Sequence, residues 1–75
     1  MKNQANHTRG SLSVISDALP KLKGSAQKVA QFILDSPQET INLTITELGS
    51  RAAVSEASIS RFVRSLGYEG FHALK

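Results

Sequence analysis

The tightest constraint in this sequence lies between Thr44 and Gly67. Two helix-start signals, the run Thr44-Ile45-Thr46-Glu47 and then Ser55, stand so close that only a short helix fits between them. Thr44 and Glu47 have the spacing of a capping box, in which hydroxyl and carboxylate each satisfy the other residue's backbone N–H. Ser55 is a favoured N-cap residue. Apolar residues at Ile45, Leu48 and Ala52, and then at Ile59, Phe62, Val63 and Leu66, place one buried stripe on each of two helices. Gly67 then supplies a left-handed stop. Two such helices bury both stripes only by crossing through a tight turn, which needs a small residue at the crossing, here Gly49, and an apolar plug, here Val54. The spacing predicts a helix-turn-helix at about residues 45–64.

One position departs from the usual pattern. Glycine commonly precedes the plug, and here the residue is Ala53. A positive φ would cost alanine about 1 kcal/mol or more. The sequence therefore favours a turn closed in a conformation that alanine accepts.

The rest of the chain reads as helices that support this unit. Leu12, Ile15, Leu19 and Leu22 recur on one helical face, and Pro20 ends that helix near Leu19. Beyond Gly24, Ala26, Val29, Ala30, Phe32 and Ile33 mark a second amphipathic helix that stops around Asp35. Ser36-Pro37-Gln38-Glu39 carries cap, first-turn proline and capping-box glutamate, and opens at most a short helical turn. Ile41 and Leu43 follow as an apolar segment expected to be exposed. Tyr68, Phe71 and Leu74 suggest a last short helix, with the two aromatics in the core. Residues 1–10 lack apolar periodicity and read as a flexible N-terminal arm, in which only Lys2 and Arg9 suggest a minor-groove role. No strand-like alternation and no repeat competes. The fold class is all-α, about five helices, with one helix-turn-helix domain over 11–75.

Composition bounds the function. A chain of 75 residues is one domain. It has no cysteine, which excludes disulfides and cysteine zinc sites and suits a reducing cytoplasm. No apolar run is long enough to span a bilayer, and the polar start lacks the core of a secretory signal. His7 and His72 stand far apart without a ligand set, so no metal site and no cofactor are expected. No nucleophile triad, carboxylate pair or phosphate loop stands out, and an enzyme is not expected. Nine Lys and Arg against six Asp and Glu give a net charge of +3, spread over both halves of the chain. That permits a polyanionic partner without locating its site.

Position on the helix locates it. Over Ser55 to Leu66, at about 100° per residue, Ala57, Arg61 and Arg64 face away from the buried stripe. Ser58 and Ser65 flank them on one edge and Ser60 on the other. Two arginines on a surface helix are ordinarily just solvated. Here they crown an otherwise short-chained face on the second helix of a helix-turn-helix, which suits a DNA major groove about 12 Å wide. Arginine can pair bidentately with guanine, alanine can meet a thymine methyl, and serine can donate to base or phosphate. The base-reading candidates are therefore Ala57, Ser58, Ser60, Arg61 and Arg64. Helix starts suit phosphates, so Thr44, Thr46 and Ser55 are candidate DNA-backbone contacts, with Arg51 at the end of the first helix. Glu56 opposes phosphate and reads as a favourable first-turn charge.

The series Ile45-Thr46-Glu47-Leu48-Gly49, Val54-Ser55-Glu56-Ala57-Ser58-Ile59-Ser60-Arg61-Phe62 and Leu66-Gly67-Tyr68-Glu69-Gly70-Phe71 resembles the RpiR family of bacterial transcriptional regulators. The upstream stretch from Ala26 to Pro37 resembles that family's second helix, and the likeness covers about residues 12–75. The chain departs at Lys23-Gly24-Ser25-Ala26, where family members often carry a Thr-Pro-Ser-Glu-like cap. The resemblance implies a homeodomain-like fold and binding to a double-stranded DNA operator, as part of a repressor or activator of sugar-related genes. It also implies a homodimer and a phosphosugar effector held by a C-terminal domain that would begin where this chain stops, at Lys75. A helical protein–protein interaction or dimerisation module is the alternative.

Overall fold

The computed structural model describes residues 2–75, with side chains from Gly10 onward. Among the described residues there are six α-helices and no strand: α1 (Lys2–Ala18), α2 (Gly24–Asp35), α3 (Pro37–Ile41), α4 (Ile45–Ala52), α5 (Glu56–Ser65) and α6 (Phe71–Leu74). A 3-10 turn, Leu19–Lys21, links α1 to α2 where Pro20 disfavours continued α-helix. The six compare with about five expected because α3 and α6 are both short. No helix is long and apolar enough to cross a membrane among the described residues.

The backbone of the expected arm is helical from Lys2, but Gly10, at φ 57° and ψ −158°, interrupts α1 and separates that stretch from the domain. Met1 and the side chains of Lys2, His7 and Arg9 lie outside the described residues.

α2 is the hub: it packs against α1, α3, α4 and α5. Val29, Ala30 and Ile33 point from it into the core. There they meet Ile15, Leu48, Ile59 and Val63, all fully shielded from solvent. Each such large aliphatic side chain contributes about 1.5–3 kcal/mol relative to exposure. Phe71 and Leu74 of α6 are also buried, and Tyr68 packs against the same cluster, as expected. Lys75 ties α6 back: its Nζ donates to the Leu43 carbonyl oxygen at 2.9 Å.

Three expectations change here. The Ser36 side chain makes no cap bond. Ser36 already closes α2 through its N–H to the Phe32 oxygen, and its own carbonyl accepts from the backbone and hydroxyl of Thr40. The expected box partner, Glu39, turns to Arg51 instead. The apolar face of α1 is also incomplete: Ile15 is buried and Leu19 and Leu22 are partly covered, but Leu12 is 43% exposed. Finally, the segment after α3 splits. Ile41 is 57% exposed, whereas Leu43 is buried.

Candidate nucleic-acid interface

The site is built from α4, the turn Ala53–Ser55 and α5. At the start of α4 the capping box forms: Thr44 Oγ1 accepts from the Glu47 N–H at 3.1 Å, and Glu47 Oε1 accepts from the Thr44 N–H at 2.9 Å. Ser55 caps α5, its Oγ accepting from the Ser58 N–H at 3.1 Å. Each cap satisfies a first-turn N–H that would otherwise lack a partner. The far end of α5 is fixed as well. The N–H of Gly67 reaches the Arg64 oxygen, and that of Tyr68 reaches the Val63 oxygen. This is a Schellman closure, with Gly67 at φ 98° in the left-handed position.

Between the helices, Val54 plugs the turn, half-buried, and its N–H reaches the Gly49 oxygen at 2.9 Å. Gly49 is buried where the two helices cross. Ala53 sits at φ 61° and ψ 44°, in the left-handed region. The expectation of an alanine-compatible turn is therefore corrected. Ala53 is the C-cap of α4, and from this geometry the chain turns into the half-buried Val54.

The outward side of α5 carries the predicted readers together. Ala57, Arg61 and Arg64 are exposed, and Ser58 and Ser60 are half-buried at its edges. Among the described residues, neither arginine has a hydrogen-bond or ion-pair partner. Ile59, Phe62 and Val63 hold the opposite side in the core, so the outer face is fixed rather than free to roll.

The predicted backbone contacts are all exposed, and each already has an intramolecular partner. Thr46 donates its hydroxyl to Glu56 Oε2 at 2.7 Å, across the helix-turn-helix. Arg51 pairs with Glu39, and that hydrogen bond, reinforced by the carboxylate's charge, holds its guanidinium pKa above the usual value. Thr44 and Ser55 spend their side chains on the caps.

The structure also brings in residues that the sequence did not flag. Lys23 and Ser25, at the start of α2, share an open cleft with Ser58, Arg61 and Ser65 of α5. Nothing local in the sequence joins them; only the packing of α2 on α5 does.

With this geometry in place, the family is settled by residues 9–75, which match the helix-turn-helix domain of the rpiR family. The chain belongs to that family. This rpiR-family domain is 41% identical over 64 residues to the HTH-type transcriptional regulator HexR of Pseudomonas aeruginosa, covering 85% of this chain and 22% of that protein. It is 38% identical over 66 residues to the HTH-type transcriptional regulator YbbH of Bacillus subtilis, covering 88% and 23%. The chain thus spans less than a quarter of the length of these curated relatives. It superposes on the crystal structure of the N-terminal domain of Bacillus subtilis YbbH with a TM-score of 0.84 at 37% identity, over 87% of this chain and 79% of that one. The rpiR-family domain is a unit of transcriptional regulators and not an enzyme.

Proposed function

We propose that this domain binds a double-stranded DNA operator in a sequence-specific manner, with α5 in the major groove. The observation that carries the reading is the outer face of α5: two arginines without a partner among the described residues, on a rigid, short-chained surface. Arg61 and Arg64 supply bidentate contacts to guanine, Ala57 an apolar contact, and Ser58 and Ser60 adaptable hydrogen bonds. Thr44, Thr46, Arg51 and Ser55 lie along the strand that borders α4 and position the domain on phosphates. Membership of the rpiR family supports control of sugar or phosphosugar genes in the cytoplasm. In that setting the whole protein is a homodimer that holds a phosphosugar effector outside this domain, and its two reading helices stand about 34–36 Å apart, one DNA turn. Selection from random duplexes tests this directly. It should recover one enriched site, and binding to that site should weaken with salt at a log–log slope of about −0.9 per neutralised phosphate. Absence of salt-sensitive binding at low ionic strength would sink the reading.

A second reading has its own observation. Leu12 and Ile41, both strongly exposed, line one groove with Ile33 and Leu74. That groove suits a helical interaction or dimerisation surface. Amide shifts confined to this groove on titration with a partner, with Ala57–Arg64 silent, would favour it.

A further inference from the structure

Beyond the four candidate backbone contacts of α4 and the turn, the structure sets Lys23 and Arg61 in one cleft beside the start of α2. An α-helix with its side chains is about 10–12 Å across, so α5 fills a major groove and the bordering strands run against its neighbours. On one side that neighbour is the start of α4. There Thr46 is bonded to Glu56, and the Glu47 carboxylate closes the capping box. On this side the candidate contacts Thr44 and Thr46 stand beside carboxylates. On the other side the neighbour is the start of α2, and the cleft between them is different.

That cleft is lined by Lys23, Arg61 and three serines, Ser25, Ser58 and Ser65, with Ala26 and Phe62 as its apolar part and no acidic residue in its wall. Among the described residues, neither Lys23 nor Arg61 has an ion-pair partner. The hydroxyl of Ser55 donates to Ser58 Oγ at 3.0 Å, which leaves the Ser58 hydroxyl hydrogen available. Ser58 and Arg61 belong both to this cleft and to the face read as base-contacting, so the cleft is continuous with the proposed groove contact. Two uncompensated cations and a free hydroxyl donor, open to solvent and beside the reading helix, are chemistry for a phosphodiester.

We propose that the cleft between Lys23 and Arg61 holds a backbone phosphate of the bound DNA, which makes α2 a second DNA-contacting element. The proposal rests on the DNA-binding reading above. Lys23 is its carrier, because Lys23 lines the cleft and lies outside the helix-turn-helix.

The test compares charge-removing variants of the 75-residue chain on the duplex recovered by selection and on a scrambled duplex. Lys23→Gln should lower affinity on both and reduce the log–log salt slope by about 0.9, the loss of one phosphate contact. Lys23→Arg should keep the wild-type slope. Lys28→Gln, which removes an equal charge from an exposed position of α2 outside the cleft, should leave the slope unchanged. The proposal is overturned if Lys23→Gln behaves like Lys28→Gln, or if it alters preference at one base pair without changing the slope. Failure of the wild-type domain to bind either duplex is a separate outcome and removes the DNA reading itself. Lys23 is exposed, so circular dichroism should show the variants equally folded.

Discussion

A Cβ built on Gly49 would lie 2.8 Å from the carbonyl oxygen of Val54. The obstacle is backbone, so it cannot rotate away as a side-chain tip would. The same two residues are joined in the other direction by the Val54 N–H to the Gly49 oxygen. Gly49→Ala must therefore spread the turn that aims α5. Crowding of this kind costs about 1–3 kcal/mol, and alanine's better helix propensity returns at most about 1 kcal/mol. A net loss of about 1–2 kcal/mol is expected, read as a lower urea midpoint with an unchanged m-value. An unchanged midpoint would mean that the turn yields without cost.

Ala53 predicts the opposite sign. Its left-handed geometry costs an L-residue about 1–2 kcal/mol, and its exposed methyl buries little in return. Ala53→Gly relieves that strain but adds freedom to the unfolded chain, worth about 0.4–1 kcal/mol. The expected balance is stabilisation by about 0.5–1 kcal/mol, seen as a higher thermal midpoint in calorimetry. Ala53→Val should destabilise. Should both substitutions lower the midpoint, the turn would not hold the φ described.

The contrast between these residues shows what the sequence could and could not tell. Gly49, Val54, the Thr44–Glu47 box and the Ser55 cap are local or periodic signals, and each took the role its spacing implied. The backbone angle of Ala53 is set by how α4 and α5 close on each other, which is a tertiary demand that overrides alanine's preference. Glu39 reads locally as a capping residue for Ser36, yet it meets Arg51 because α2 packs on both α3 and α4. The same hub sets Lys23 beside Arg61. Residues whose roles depend on a neighbour near in the chain were legible; those whose partners arrive through α2 were not.

The pairing of Arg51 with Glu39 carries a third prediction. Both side chains are about half exposed, 49% and 47%, so the pair adds little to stability. Its larger effect is on Arg51 as a proposed phosphate contact. Glu39→Gln removes a carboxylate that competes for the guanidinium and repels DNA. Affinity should rise a few-fold at low salt on all duplexes alike, and the gain should fade as salt screens it. The thermal midpoint should barely move. If DNA affinity is unchanged in Glu39→Gln and also in Arg51→Ala, Arg51 is a structural partner of α3 and contributes nothing to the interface.

The two arginines of α5 give the most discriminating prediction. Arg61 and Arg64 are three residues apart on one helix, so if both read bases they read different base pairs. Arg64 lies outside the cleft shared with α2, whereas Arg61 lines it. Arg64→Ala should cost about 1–3 kcal/mol on the selected duplex and relax preference at one position only. Arg64→Lys should recover charge but not that preference, because a lysine ammonium lacks the flat two-pronged donor geometry. Arg61→Ala should show a mixed signature: some loss of preference at a second position, together with a shallower salt slope from its share in the phosphate cleft. Binding measured against a panel of duplexes, each substituted at one base pair, separates these outcomes. Uniform weakening across the panel for both arginines would make α5 a backbone-binding helix and move sequence reading to other residues.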